Sequence, residues 1–261
     1  MTDPLRLHGT APYRTVVLHG GPGAIGEMYT VAEELSRTQG VLEPLLSAYT
    51  IEGQLHELSE VLQTYGTEPY MLIGHSWGAW LAYLFTARHP SLVRKLILIS
   101  SGPFEDRYAD TVAKTRLKRL GTDGRHRLHE LQQQLNQPDE THRNTIFRDI
   151  GQLLTTVDSI DLLPYDESKM VFRYDVFTSI WNEAEQWRKT GKLLREGQDI
   201  RCPVIAIHGD SDPHPPSGVS KPLAKILPNF RLILLKNCGH YPWLERKTQK
   251  AFYHTLTETL V

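Results

Sequence analysis

The chain has 261 residues, with 29 Lys and Arg against 30 Asp and Glu, for a formal net charge of −1. That balance exerts no global pull toward nucleic acid or an anionic membrane surface, so the expected partner is a small molecule or a short peptide. No apolar run approaches the roughly 18 residues of a membrane span, and the N-terminal MTDPLRLHGT has no basic start followed by an apolar segment, which reads as a soluble, cytoplasmic protein with no membrane partner.

In chain order, the first apolar run is TVVLH over 15–19, followed by GGPG. EMYTVAEELSR over 27–37 has helical period, and the weaker run VLEPLLS over 41–47 is a candidate further strand. Then come a helix in TIEGQLHELSEVLQTY over 50–65, a strand in YMLIG over 70–74, a helix in GAWLAYLFTARHP over 78–90 and a strand in KLILIS over 95–100. The strands are rich in Val, Ile and Leu without alternation, as strands buried on both faces of a parallel sheet are. Alternation of strand and helix predicts an α/β fold, a mostly parallel sheet flanked by helices.

After Gly102 the alternation stops, and residues 104–199 turn helical and polar. Strands resume with PVIAIHG over 203–209 and RLILLK over 231–236. The expected organisation is an α/β core of 1–103 and 200–261 with a helical lid of 104–199 over the carboxyl ends of the strands, where open parallel sheets bind ligands. The basic stretch AKTRLKRLGTDGRHRLH over 113–129 is expected to be a helix with a solvated charged face. Phe172, Tyr174, Phe177, Trp181 and Trp187 are expected in one lid helix, packing it, with Phe177 and Trp181 as candidates for the substrate pocket.

GHSWG places Ser76 between Gly74 and Gly78, after an apolar strand and before a helix. A very tight strand-to-helix turn of this kind exposes a hydroxyl and needs glycines where chains approach closely. A serine hydroxyl attacks only when a base removes its proton, and that base needs an acid to orient it. His240 follows the run RLILLK in NCGHYPW, and Asp212 follows PVIAIHG in DSDPHPP, with Asp210 as the weaker choice two residues earlier. The order Ser76, Asp212, His240 is the triad order for a nucleophile on such a turn. Donors for the oxyanion are expected from the backbone of Gly21, in the HGGPG loop, and of Trp77.

HGGPG, GHSWG, the G-x-x-D of Gly209 to Asp212 and the GH of Gly239 to His240 resemble the α/β-hydrolase superfamily of serine hydrolases. HGGPG and the tryptophan after the serine are most similar to its proline iminopeptidase branch. That branch carries an Asp-x-Arg-Gly-x-Gly-x-Ser segment after the next strand, where this chain has PLLSAYTIEGQ over 44–54. The resemblance implies acyl transfer without a cofactor, on an ester or amide. Aminopeptidase action on an N-terminal proline and carbon–carbon bond hydrolysis are the alternatives within enzymes, and a non-catalytic ligand-binding protein is the alternative outside them. It also implies acidic lid groups for a substrate amine, for which Glu183 and Glu185 qualify by composition.

His208, Asp210, Asp212 and His214 in HGDSDPH could in principle ligate a metal ion, but an Asp- and Pro-rich turn suffices to explain them, and no metal is assigned. Cys202 and Cys238 have no zinc-ligand spacing and flank neighbouring strands at opposite sheet ends, too far apart for a bridge, so free thiols are expected.

Overall fold

The computed structural model describes residues 4–136 and 142–260. Residues 1–3 and 261 of the expected core, and 137–141 of the expected lid, lie outside the described residues. Along the chain run β1 (Leu5–His8), β2 (Tyr13–Leu18), β3 (Ala24–Ile25), α1 (Tyr29–Leu35), β4 (Gly40–Pro44), α2 (Ile51–Tyr65), β5 (Tyr70–His75), α3 (Trp77–Arg88) and β6 (Val93–Ile99). Next come α4 (Ala109–Leu135), α5 (Arg143–Asp158), β7 (Val171–Phe172), α6 (Tyr174–Lys189) and α7 (Lys192–Glu196), then β8 (Val204–Gly209), α8 (Ser217–Ile226), β9 (Phe230–Leu235) and α9 (Gln249–Leu260).

The main sheet has seven strands in the order β1-β4-β2-β5-β6-β8-β9, parallel throughout except for the antiparallel edge pair β1–β4. Successive strand residues feed opposite faces. Val16, Leu18, Leu72, Leu96, Leu98, Val204 and Ala206 join the core under α2 and α3, while Val17, Met71, Ile73, Ile97, Ile99, Ile205 and Ile207 join the core under α1 and α9. With both faces covered, apolar runs without alternation are what the strands require. The helix α3 is buried from Trp77 through Ala87, which explains why it is apolar on every side.

Four sequence expectations are corrected. The strand β1 was missing from the sequence reading, and β4 ends at Pro44. The two go together, because the fully buried Glu43 of β4 bonds Arg6 (3.2 Å) and His8 (2.8 Å) of β1. A carboxylate inside a strand blurs the apolar signal until its partner strand is known. The helix α1 begins at Tyr29, leaving Glu27 ahead of it. Phe172 lies in β7, not in the helix with Tyr174, Phe177, Trp181 and Trp187; β7 pairs with β3, setting Phe172 opposite Ala24. Cys202 and Cys238 are free, as expected. Among the described residues no helix is long and apolar enough to cross a membrane.

Candidate active site

Ser76 sits between β5 and α3 with φ 49° and ψ −109°, a backbone state that costs a non-glycine residue on the order of 1–3 kcal/mol. The glycines around it are sterically required. A Cβ on Gly74 would lie 2.1 Å from the carbonyl oxygen of Gly78, and one on Gly78 would lie 2.5 Å from those of Leu18 and His19. The turn is fixed on its other side by the Ser76 amide, which donates to the Ile99 carbonyl at 3.0 Å. Trp77 opens α3, where first-turn N–H groups lack intrahelical acceptors, and its indole donates to Gln54 at 3.0 Å. Gly21 lies in the loop after β2 with φ +37°.

Beyond β8 and β9 the structure brings Asp212 and His240 together, with Nδ1 of His240 donating to Oδ2 of Asp212 at 2.8 Å. Both are buried. Burial works against ionisation of Asp212, yet the charges of His240, His214 and His208 outweigh it and hold the carboxyl well below its usual range. Burial also dominates at His240, pushing the imidazole down to about 4 despite the adjacent carboxylate. At neutral pH His240 is therefore an uncharged base beside a charged acid.

Two more histidines crowd Asp212. Nδ1 and the backbone amide of His214 both donate to Oδ1, at 3.0 and 2.8 Å. Nε2 of His208 lies 3.3 Å from Oδ2 and 2.8 Å from the carbonyl oxygen of His214. Side-chain atoms of Asp212, His214 and His240 thus fall within 4.8 Å of one another, whereas Asp210 turns to Ser211, Cys238 and Lys236. Of the four residues that HGDSDPH brings close in sequence, only Asp210 leaves the group, and His240 joins it.

A second buried pair lies behind the serine. Oε2 of Glu27 accepts from Nδ1 of His75 (2.8 Å) and from the Gly20 amide (2.7 Å), and Nε2 of His75 contacts the His240 carbonyl at 3.1 Å. Burial alone would raise the Glu27 carboxyl, but the charge and hydrogen bond of His75 keep it below its ordinary value. One carboxylate thereby ties the HGGPG loop to the serine turn, and one imidazole ties that turn to the His240 loop. A Cβ on Gly20 would lie 2.3 Å from the Glu27 oxygen, which gives that glycine its reason. In the sequence Glu27 reads only as part of a helix; its sole signal is its closeness to HGGPG.

Ser76 opens into a cavity of about 290 Å³ whose wall includes Trp80, Trp181, Arg116, Glu185, Arg188 and His214. Trp181 is thus brought to the cavity. Phe177 stands behind it, its ring stacked on Trp181 with centroids 6.1 Å apart. Glu185 also lines the cavity, whereas Glu183 turns away and accepts from the Ile51 amide at the start of α2 (2.8 Å).

The basic stretch of α4 is not merely a solvated face. Nε of Arg116 donates to both oxygens of the fully buried Asp158 (2.9 and 3.0 Å). Arg119 donates to the carbonyls of Val157 (3.0 Å) and Ser211 (2.5 Å). The Asp158 carbonyl in turn accepts the His240 amide at 2.9 Å, and Glu245 accepts the Gly239 and Ile160 amides at 2.7 and 3.2 Å. The inserted helices are therefore clamped onto the loops that carry Asp212 and His240.

Residues 36–247 match the family model described as alpha/beta hydrolase fold. A proline iminopeptidase of Lactobacillus delbrueckii subsp. bulgaricus is 24% identical, over 94% of this chain and 90% of that protein. A pimeloyl-[acyl-carrier protein] methyl ester esterase of Nitrosomonas europaea is also 24% identical, over 88% of this chain and 89% of that one. Among solved structures, VinJ superposes with a TM-score of 0.69 at 21% identity, covering 98% of this chain and 93% of that one. With the model spanning most of the chain and the sheet built in the order described, the chain belongs to the α/β-hydrolase fold family.

Proposed function

We propose that the protein is a serine hydrolase that cleaves an ester or amide of a small molecule through an acyl-enzyme, with the inserted helices of 104–199 serving as a lid on the core of 1–103 and 200–261. The observation that carries this reading is the buried Asp212–His240 hydrogen bond of 2.8 Å in the same sheet-edge region as a serine on a strained turn. Ser76 attacks the carbonyl carbon while Nε2 of His240 takes its proton. The Gly21 and Trp77 amides hold the oxyanion, and the protonated His240 then delivers its proton to the leaving oxygen or nitrogen. Water attacks the acyl-enzyme by the same steps in reverse order of partners, releasing the acid and free Ser76. Asp212 keeps the imidazole in the tautomer that presents Nε2 to the serine. The residues require no cofactor for this chemistry.

Aminopeptidase action is the second reading, favoured by Glu185 in the cavity wall and by the name of the Lactobacillus relative. Assay of p-nitrophenyl esters beside proline β-naphthylamide separates the two. Ester turnover should fall on the order of 10⁵-fold or more in Ser76→Ala, because triad members act as a unit. Near wild-type turnover in that variant overturns the reading, and cleavage of the amide alone transfers it to the aminopeptidase.

A further inference from the structure

We propose that His214 is a substrate-contacting residue, its Nε2 accepting a hydrogen bond from an O–H or N–H on the leaving group close to the scissile bond; this rests on the serine-hydrolase reading above. The inference starts from the protons. A charged carboxylate offers only lone pairs, so the contact of 3.0 Å between Nδ1 of His214 and Oδ1 of Asp212 places a proton on Nδ1, and we take the ring in the tautomer that carries this proton alone. The lone pair is then on Nε2. Among the described residues Nε2 of His214 has no hydrogen-bond partner, yet it is not among the buried polar atoms left without one, so it is open to the space the ring faces.

That space is the Ser76 cavity, whose wall includes His214. The imidazole of His214 is 10% exposed and that of His240 is 3% exposed, so His214 is the more accessible of the two rings held by Asp212. The rings stack with centroids 4.3 Å apart and planes 26° apart, each hung by Nδ1 from a different oxygen of one carboxylate. They therefore run side by side away from Asp212, which sets the edge of the His214 ring that carries Nε2 beside the edge of the His240 ring that protonates the leaving group. The loop keeps this pose through the His214 amide bonded to Oδ1 and the His214 carbonyl accepting from His208. Of the other polar side chains of the wall besides Ser76, Asp110 is an exposed acceptor in the first turn of α4 and the rest are already paired. Arg116 and Arg188 are donors already engaged by Asp158 and Asp106, and Glu185 is paired with Arg188 and Lys189. The substrate class that fits is an ester of a polyol or amino alcohol, or an amide with a further N–H nearby.

The test compares two esters of equal shape, 2-hydroxyethyl butyrate and n-propyl butyrate, on the wild-type chain, His214→Phe and His214→Gln. The expected result is a wild-type preference for the hydroxyethyl ester in kcat/KM of about tenfold or more, the size of one net hydrogen bond between neutral groups. His214→Phe should bring the ratio to about one, and His214→Gln, which keeps an acceptor, should restore part of it. The ratio is the readout because a general disturbance of Asp212 lowers both rates together. Equal wild-type turnover of the two esters overturns the inference without any variant, as does a preference that survives His214→Phe. Turnover of neither ester, with no fluorophosphonate adduct on Ser76, overturns the serine-hydrolase reading and this inference with it.

Discussion

The sheet and the helical segment inserted after β6 are held together by different forces. Every residue of β5 and β8 is buried, and each Val, Leu or Ile there contributes about 1.5–3 kcal/mol by leaving water. The much longer α4 buries only Leu120, Leu131 and Leu135, and α5 buries only Thr155 and Asp158. What fixes these two helices over the site is directional: Arg116 on Asp158, Arg119 on two carbonyls and the Asp158 carbonyl on the His240 amide. Ser76, Asp212 and His240 thus stand on a rigid apolar scaffold, while the α4 side of the cavity wall is held by a few charged contacts and the α6 side packs through Val176, Ile180 and Ala184. Such a division lets the wall vary without disturbing the reacting groups.

If that contrast holds, the most damaging change in the insertion removes a charge partner rather than an apolar side chain. Arg116→Met leaves the buried Asp158 carboxylate uncompensated and should cost about 3–5 kcal/mol, read as a lower urea midpoint. A loss below about 1 kcal/mol would show that packing, not charge, holds the insertion.

The scaffold side is sharpened by pH. In the proposed mechanism His240 acts as the base only when uncharged, and burial sets its pKa at about 4 in place of the ordinary 6.5, so activity should fall only as pH drops through about 4. A kcat/KM profile with its acid midpoint near 6.5 would place the imidazole in contact with water and contradict a sealed scaffold.

A third change lies on the scaffold but away from the triad. Glu27→Ala frees the Gly20 amide and His75 together, loosening the HGGPG loop and the serine turn, and should lower kcat about 10²-fold with KM little changed. A rise in KM alone would make Glu27 a substrate-binding group instead. The smallest effect is expected from Glu183→Ala, which removes the acceptor at the start of α2 and should cost about 1 kcal/mol in thermal unfolding with kcat/KM unchanged. Lost activity without lost stability would return Glu183 to the site.

The same division explains what was legible in the sequence. Strands of the sheet interior announce themselves because two-sided burial demands uninterrupted Val, Ile and Leu, and GHSWG and HGGPG stand out because close backbone approach admits only glycine. That Asp212 and His240 meet follows from order along the chain, since parallel strands deliver their ends to one edge. The edge pair β1–β4 was obscure because Glu43 depends on Arg6 and His8, 37 and 35 residues away. Glu27 and Arg116 were obscure for a related reason. A charged residue with a buried, distant partner has the local pattern of a solvated one. Of the two aromatic pocket candidates, Trp181 lines the cavity and Phe177 stands behind it, a difference of one helical turn that periodicity alone does not resolve.

The central claim is that Ser76 is an activated nucleophile, and covalent labelling reads it most directly. The folded chain and Ser76→Ala are treated with a fluorophosphonate, and the adduct is located by peptide mass spectrometry. One phosphonyl group is expected on Ser76 in the wild type, absent from the variant and formed more slowly as pH falls through about 4. A folded wild-type chain that takes no label, or takes it equally after Ser76→Ala, contradicts the account.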